Sequence, residues 1–141
     1  MKKAIFLNSL LITLLGVSVC LADSNIPDLV GTWTIKSEGG VLIKGNEAGP
    51  KTHHSSAFST LNAEAVVTKQ QGRILHGTFK SGKATENFIA AIGPDNKTIY
   101  YADEDGLLEG KIIDKDTIES IYRHVTPADA VVAVGVWTRK K

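Results

Sequence analysis

The chain has 141 residues, of which 43% are apolar and 22% charged, so it is long enough for one globular domain with an ordinary core. The formal net charge is +1, so the chain does not have the excess of basic residues that marks most nucleic-acid-binding proteins. We therefore expect a single domain and no nucleic-acid partner.

The first 22 residues predict a secretory signal peptide, which would be helical. Lys2 and Lys3 precede a long apolar run, and the small residues Cys20 and Ala22 stand at the end of this run, just before a polar segment. Polar interruptions make the run a poor membrane anchor. Cleavage near Ala22 is favoured over lipid attachment at Cys20, because the residue before this cysteine is not small.

Cleavage at that point would leave residues 23–141 as one domain in the periplasm or outside a bacterial cell. Loss of Lys2 and Lys3 changes the formal net charge from +1 to −1, and the only cysteine is removed as well. A domain without cysteine has neither a disulfide nor a thiolate metal site, so its core and its sheet must supply its stability. No membrane span is expected after cleavage.

The remaining sequence predicts an all-β domain built from eight antiparallel strands. Short β-rich runs alternate with turns that carry Gly, Asn or Asp. Tight hairpins join neighbouring strands, and eight twisted strands in such a meander can close on themselves, so an up-and-down barrel is favoured over a sandwich. The predicted strands cover residues 31–38, 63–70, 73–80, 85–92, 97–102, 107–113, 117–125 and 130–139.

The long polar stretch 39–62 separates the first two predicted strands, and in a barrel it would hang over one mouth. It contains a small apolar insert, Val41–Ile43, that can form a short strand. It also contains His53 and His54, which are adjacent and would therefore point apart on an extended backbone. We expect this histidine pair to be solvated and to bind no metal.

Alternation along the strands assigns one face of each to the barrel interior. The assigned interior residues are large and apolar, as a core requires. They are Trp33, Ile35, Leu75, Phe79, Phe88, Ala90, Ile92, Leu108, Ile112, Ile118 and Tyr122.

The segment Gly31–Trp33, placed directly after the predicted signal peptide, resembles the Gly-x-Trp signature of the calycins, the group that contains lipocalins and avidins. Gly77–Phe79 is similar to a strand motif of the avidins. The resemblance implies that Trp33 plugs the base of a barrel and that a basic residue of the last strand, here Arg139, covers it. With only one further tryptophan, Trp137, the chain is not expected to carry the biotin site of avidins.

Ser120, Tyr122 and His124 fall on one face of the seventh predicted strand, where Phe88 would also face the interior. Polar groups in an apolar wall are typical of small-molecule sites, so these four residues are predicted to bind a small apolar molecule. The alternative is a filled barrel that acts as an envelope-associated interaction module through the 39–62 loop. A cavity well below about 300 Å³ would argue against the ligand site.

The sequence carries few signs of other chemistry. No nucleophile elbow, phosphate-binding loop, dinucleotide fingerprint or zinc-ligand spacing is present, so we expect no enzyme, no metal and no cofactor. A third interpretation, catalysis with Tyr122 or His124 as acid or base, stays open. Oligomerisation is possible through an apolar outer stripe on the last strand, formed by Val132, Val134 and Val136.

Overall fold

The computed structural model describes residues 26–44, 53–54 and 57–141, which form a closed barrel of eight antiparallel strands. Each strand pairs with its neighbours in chain order, and β8 pairs with β1 to close the sheet, so the predicted all-β up-and-down barrel is confirmed. The strands are β1 (Gly31–Ile43), β2 (Ser59–Gln71), β3 (Ile74–Lys80), β4 (Thr85–Ile92), β5 (Thr98–Ala102), β6 (Leu107–Asp114), β7 (Thr117–Val125) and β8 (Asp129–Arg139).

The predicted signal peptide over residues 1–22, with Cys20 and Ala22, lies outside the described residues. Within the described ranges, the structure contains no helix of the length and apolarity needed to cross a membrane.

The predicted loop 39–62 is wrong at both ends. Strand β1 continues to Ile43 and β2 begins at Ser59, so the connection spans only 44–58. The extension forms because β8 offers backbone partners as far as Asp129, which pairs with Ile43. The glycines that suggested a turn serve close packing instead: a Cβ on Gly39 would lie 2.4 Å from a β8 carbonyl oxygen.

The predicted core agrees with the structure. All of its members are buried except Phe79 and Tyr122, which are half-buried against the core. The structure adds Leu29, which precedes β1, and Trp137 of β8, together with inward residues of two strands that the pattern left unassigned. These are Ala65 and Val67 of β2 and Ile99 and Tyr101 of β5.

The end of the barrel at which β1 begins is closed, and we call it the base. Trp33 is 0% exposed there, and its Nε1 donates to the Leu29 carbonyl at 3.1 Å. The Arg139 guanidinium lies 4.3 Å from the Trp33 ring centroid and donates to the carbonyls of Val30 at 2.7 Å and Asp28 at 2.8 Å. The Arg139 guanidinium therefore fixes the Trp33 ring and the segment before β1 against each other.

Candidate functional site at the barrel mouth

The opposite end, which we call the mouth, gathers most of the polar side chains of the interior. In a meander, alternate connections lie at the same end, so four of them meet here. These are 44–58 after β1, 81–84 after β3, 103–106 after β5 and 126–128 after β7. A pocket lies between them and reaches down to Trp137.

Three of the predicted ligand residues line this pocket together. Ser120, Tyr122 and His124 alternate along β7; Ser120 and His124 are buried and Tyr122 is half-buried. Ser120 supports the core, because its Oγ accepts a hydrogen bond from the buried Trp137 Nε1 at 3.2 Å. The fourth predicted residue, Phe88, is not brought to the pocket: it packs deeper, 4.5 Å from the Tyr101 ring centroid.

His124 is held by a buried carboxylate. Its Nε2 lies 3.0 Å from Asp129 Oδ1, and this carboxylate also accepts from Thr126 Oγ1 at 2.7 Å. Because a carboxylate can only accept, His124 Nε2 donates to Asp129. The other ring nitrogen, Nδ1, lies 3.4 Å from the Tyr122 hydroxyl and 3.5 Å from Asp105 Oδ1.

Tyr122 connects β7 to the acidic turn after β5. Its hydroxyl donates to Asp105 Oδ1 at 3.1 Å and lies 3.5 Å from Asp103 Oδ1. Burial is the main cause that raises the pKa of Tyr122 far above its usual range, and the charges of Asp103 and Asp105 raise it further. The phenol therefore keeps its proton and stays a hydrogen-bond donor. Gly106 gives the ring its room, since a Cβ there would lie 2.0 Å from the phenol oxygen.

The prediction of a solvated histidine pair is wrong. His54 is buried, and burial is the main cause that lowers its pKa. The charges of His53 and Lys83 lower this pKa further. His53 reaches into the pocket, where its ring meets Phe79 at 4.8 Å and its Nε2 lies 3.0 Å from Glu86 Oε2. The connection after β1 folds these rings over the mouth, which spacing within the loop could not reveal.

The pair of His53 and Glu86 has an unusual feature. Both facing atoms are inaccessible to solvent, and the side chains are only 11% and 13% exposed. The two atoms are close, yet they do not meet hydrogen-bond geometry, and neither has another partner among the described residues. The contact between these two atoms holds His53 against β4 at the edge of the pocket.

Three carboxylates converge beside this pair. Oxygens of Glu86, Asp103 and Asp105 all lie within 4.8 Å of one another. Carboxylate oxygens at this spacing are the ligands that hard cations prefer and the acceptors that ammonium groups prefer. The site therefore concentrates negative charge, a property that the sequence did not reveal because Glu86 lies in β4 and the two aspartates lie in the turn after β5.

The pocket is small. The described residues leave about 50 Å³ at the mouth and about 10 Å³ in the deeper core next to Phe88. The larger volume holds about three or four water-sized spheres, and it is well below the roughly 300 Å³ of a typical ligand cavity. An apolar molecule of ordinary size does not fit inside the described part of the barrel. The pocket floor is nevertheless apolar, formed by Ile35, Leu61, Phe79, Leu108, Ala133 and Trp137.

Comparisons with known proteins leave the family open. No protein-family model matches the sequence, and no curated protein matches it. Among solved structures the chain is similar to a redesigned β-barrel, with 11% identity and a TM-score of 0.49 over 88% of this chain and 99% of the other. A likeness of this degree carries no argument about function, so the resemblance of Gly31–Trp33 to the calycins stays a prediction.

Proposed function

We propose that this chain is an exported, calycin-like barrel that binds a small cationic molecule by its head group at the mouth. The observation that carries the proposal is the convergence of Glu86, Asp103 and Asp105 over an apolar floor. The stacking of Arg139 on Trp33 agrees with the calycin resemblance. Export rests on the predicted signal peptide, and no catalytic step is part of the proposal.

The charge of the mouth favours a cation over a neutral or anionic ligand. Asp129 adds a fourth carboxylate to the three that converge. Two lysines bond across the mouth to backbone carbonyls, Lys83 to His54 at 3.2 Å and Lys44 to Thr126 at 2.9 Å, so the carboxylates outnumber them. An ammonium group offers several donors to carboxylates, and charge-assisted hydrogen bonds are the strong ones. It also leaves the aromatic rings of Tyr101 and Tyr122 as cation–π partners.

The volume limits which part of the ligand enters. About 50 Å³ accommodates a head group of a few heavy atoms rather than a whole drug-sized molecule. The rest of the ligand would then extend toward the apolar floor or out of the mouth. This proposal replaces the wholly apolar ligand that the sequence analysis favoured.

The test is isothermal titration of the protein with n-butylammonium, matched against n-butanol and butyrate. We expect butylammonium to bind at least about tenfold more tightly than the alcohol, because only the ammonium pairs with the carboxylates. Butyrate should not bind. Equal binding of alcohol and ammonium, or binding of neither, would contradict the proposal.

Two variants locate the site. Asp105→Asn should weaken butylammonium binding about tenfold, since it removes one of the three converging charges while its amide oxygen can still accept from Tyr122. The matched control is Glu104→Gln, an exposed residue of the same turn, which should leave the affinity unchanged. If calcium or zinc alone binds while the ammonium does not, the site is a metal site and the proposed ligand class is wrong.

A second candidate function is supported by the same volumes. Cavities of about 50 and 10 Å³ are also what a filled barrel leaves, and a filled barrel would act through its surface, including the connection 44–58. Native mass spectrometry of protein from its own source separates the two, because a retained small molecule favours the binding barrel. The same spectrum gives the mature N-terminus, expected at Asp23.

A further inference from the structure

The outer face of β8 carries a continuous apolar strip. Val132, Val134 and Val136 are 57%, 53% and 43% exposed, and Ile121 of β7 lies beside Val134 in the register. Trp137 points inward, so this register is the one in which the valines are turned away from the core. Apolar residues that adjoin along a strand are more costly to expose than scattered ones, which makes the strip a candidate contact surface.

The charges beside the strip are arranged with opposite signs on its two sides. The strand registers place Lys36 of β1 on one side of Val136 and Glu119 of β7 on the other. Neither Lys36 nor Glu119 forms an ion pair with any residue that the structure describes. Both therefore remain available to an external partner.

The next outward residue of β8, Val134, is flanked by Glu38 of β1 and by Ile121 of β7. The next level places Arg123 of β7 beside Val132. From Val136 toward Val132, the β1 side therefore carries a positive and then a negative residue. In the same direction the β7 side carries a negative, an apolar and a positive residue. A partner of uniform charge, such as an anionic membrane or a nucleic acid, would be repelled by half of these groups.

A second copy of the chain matches the charges that flank Val136. We propose that two barrels pair through the β8 strips about a two-fold axis that runs along β8. Such a rotation exchanges the β1 and β7 sides, so Lys36 faces the partner's Glu119 and Glu119 faces the partner's Lys36, while each valine meets its own equivalent. The interface is isologous, as closed dimers require.

The size of the face sets the expected strength. The outward residues of β1, β7 and β8 number about a dozen, fewer than the roughly 20 to 30 per side of a standard interface. We therefore expect a dimer that dissociates in the micromolar range. The inference is independent of the ligand proposed for the mouth, since the strip lies on the outside of the sheet.

The experiment is sedimentation velocity over a concentration series, with protein expressed from the full sequence. We expect Lys36→Glu and Glu119→Lys each to weaken dimerisation about tenfold or more, because each creates two like-charge contacts. The double variant should restore the wild-type constant to within about threefold, since the charges are then exchanged rather than removed. Rescue of this kind is specific to the proposed axis.

Val134→Asp should abolish the dimer, and Ile89→Asp is its control. Ile89 is a comparably exposed apolar residue, 48%, on β4 at the far side of the barrel. Should Val134→Asp fail to fold, the charge variants still decide the question, because Lys36 and Glu119 are exposed. A wild-type chain that stays monomeric at about 200 μM, or single reversals that the double variant does not rescue, would overturn the proposal.

Discussion

The base and the mouth of this barrel are made by the same eight strands but differ in what their polar groups do. At the base, every donor described on Trp33 and Arg139 reaches a backbone carbonyl, and the ring is fully buried. At the mouth, most contacts join two side chains, although Lys44 and Lys83 also reach backbone carbonyls. The base is thus tied mainly to the backbone, whereas the mouth is held mainly by contacts between side chains around a pocket.

The largest expected effect is at the base. Trp33→Ala should lower the free energy of unfolding by about 3–5 kcal/mol, because it removes the largest buried ring and leaves a cavity. Urea denaturation measures this change. Tyr122→Phe is the mouth counterpart and should cost under about 1 kcal/mol, since its hydroxyl is in part solvated. Equal losses for the two variants would remove the distinction between the ends.

Arg139→Ala should cost about 2–3 kcal/mol in the same assay. The side chain gives up its stacking on Trp33 and its hydrogen bonds to Asp28, Val30 and Lys115. Arg139→Lys keeps the charge but not the planar fork, and should recover less than half of the loss. Full recovery with lysine would show that charge alone, rather than the geometry of the guanidinium, closes the base.

Ser120→Ala examines the boundary between the two regions. It leaves the buried Trp137 Nε1–H without its acceptor, which should cost about 1–2 kcal/mol. Ser37→Ala is the control: Ser37 lines the same pocket but has no hydrogen bond through its side chain to any described residue, so its removal should be close to neutral. A neutral Ser120→Ala would mean that the indole finds water there, and that the mouth reaches deeper than its lining indicates.

The smallest expected effect is a pH dependence at the mouth. The pKa of His54 is lowered in the folded state, so between this lowered value and the unfolded value of about 6.5 the unfolded chain binds more protons. Stability from this residue is therefore present above about pH 6.5 and is lost as the pH falls. His54→Gln should make the decline of the unfolding free energy between about pH 7 and 5 shallower. An unchanged slope would contradict the assignment.

The fold was largely readable from the sequence because its turns are short. Strands β4 and β7 begin and end where the pattern placed them, at Thr85–Ile92 and Thr117–Val125, since tight hairpins fix both register and facing. The calycin-like Gly31–Trp33 segment also pointed to the contact with Arg139 that the structure contains. Local turn chemistry was sufficient for the strands, whereas the contact was expected from the family resemblance.

The mouth was only partly readable, because its groups come from four separate connections and from the strands next to them. Alternation along β7 placed Ser120, Tyr122 and His124 on one face, but it could not bring Glu86 to His53. One signal was available: in a meander the connections after β1, β3, β5 and β7 share an end, so their acidic and histidine residues had to meet. The full length of β1 was not predicted for a different reason: the glycines in its second half suggested a turn.

The closing pair of strands also sets the order in which the molecule can be completed. The Arg139 side chain bonds to the Val30 carbonyl across 109 residues, and β8 supplies one whole edge of β1. Contacts of such high sequence separation form late, because the chain entropy of a long loop must be lost first. A chain in which β8 has not yet paired would keep the edges of β1 and β7 open. Pairing of β8 is then the event that closes the sheet and completes the native state.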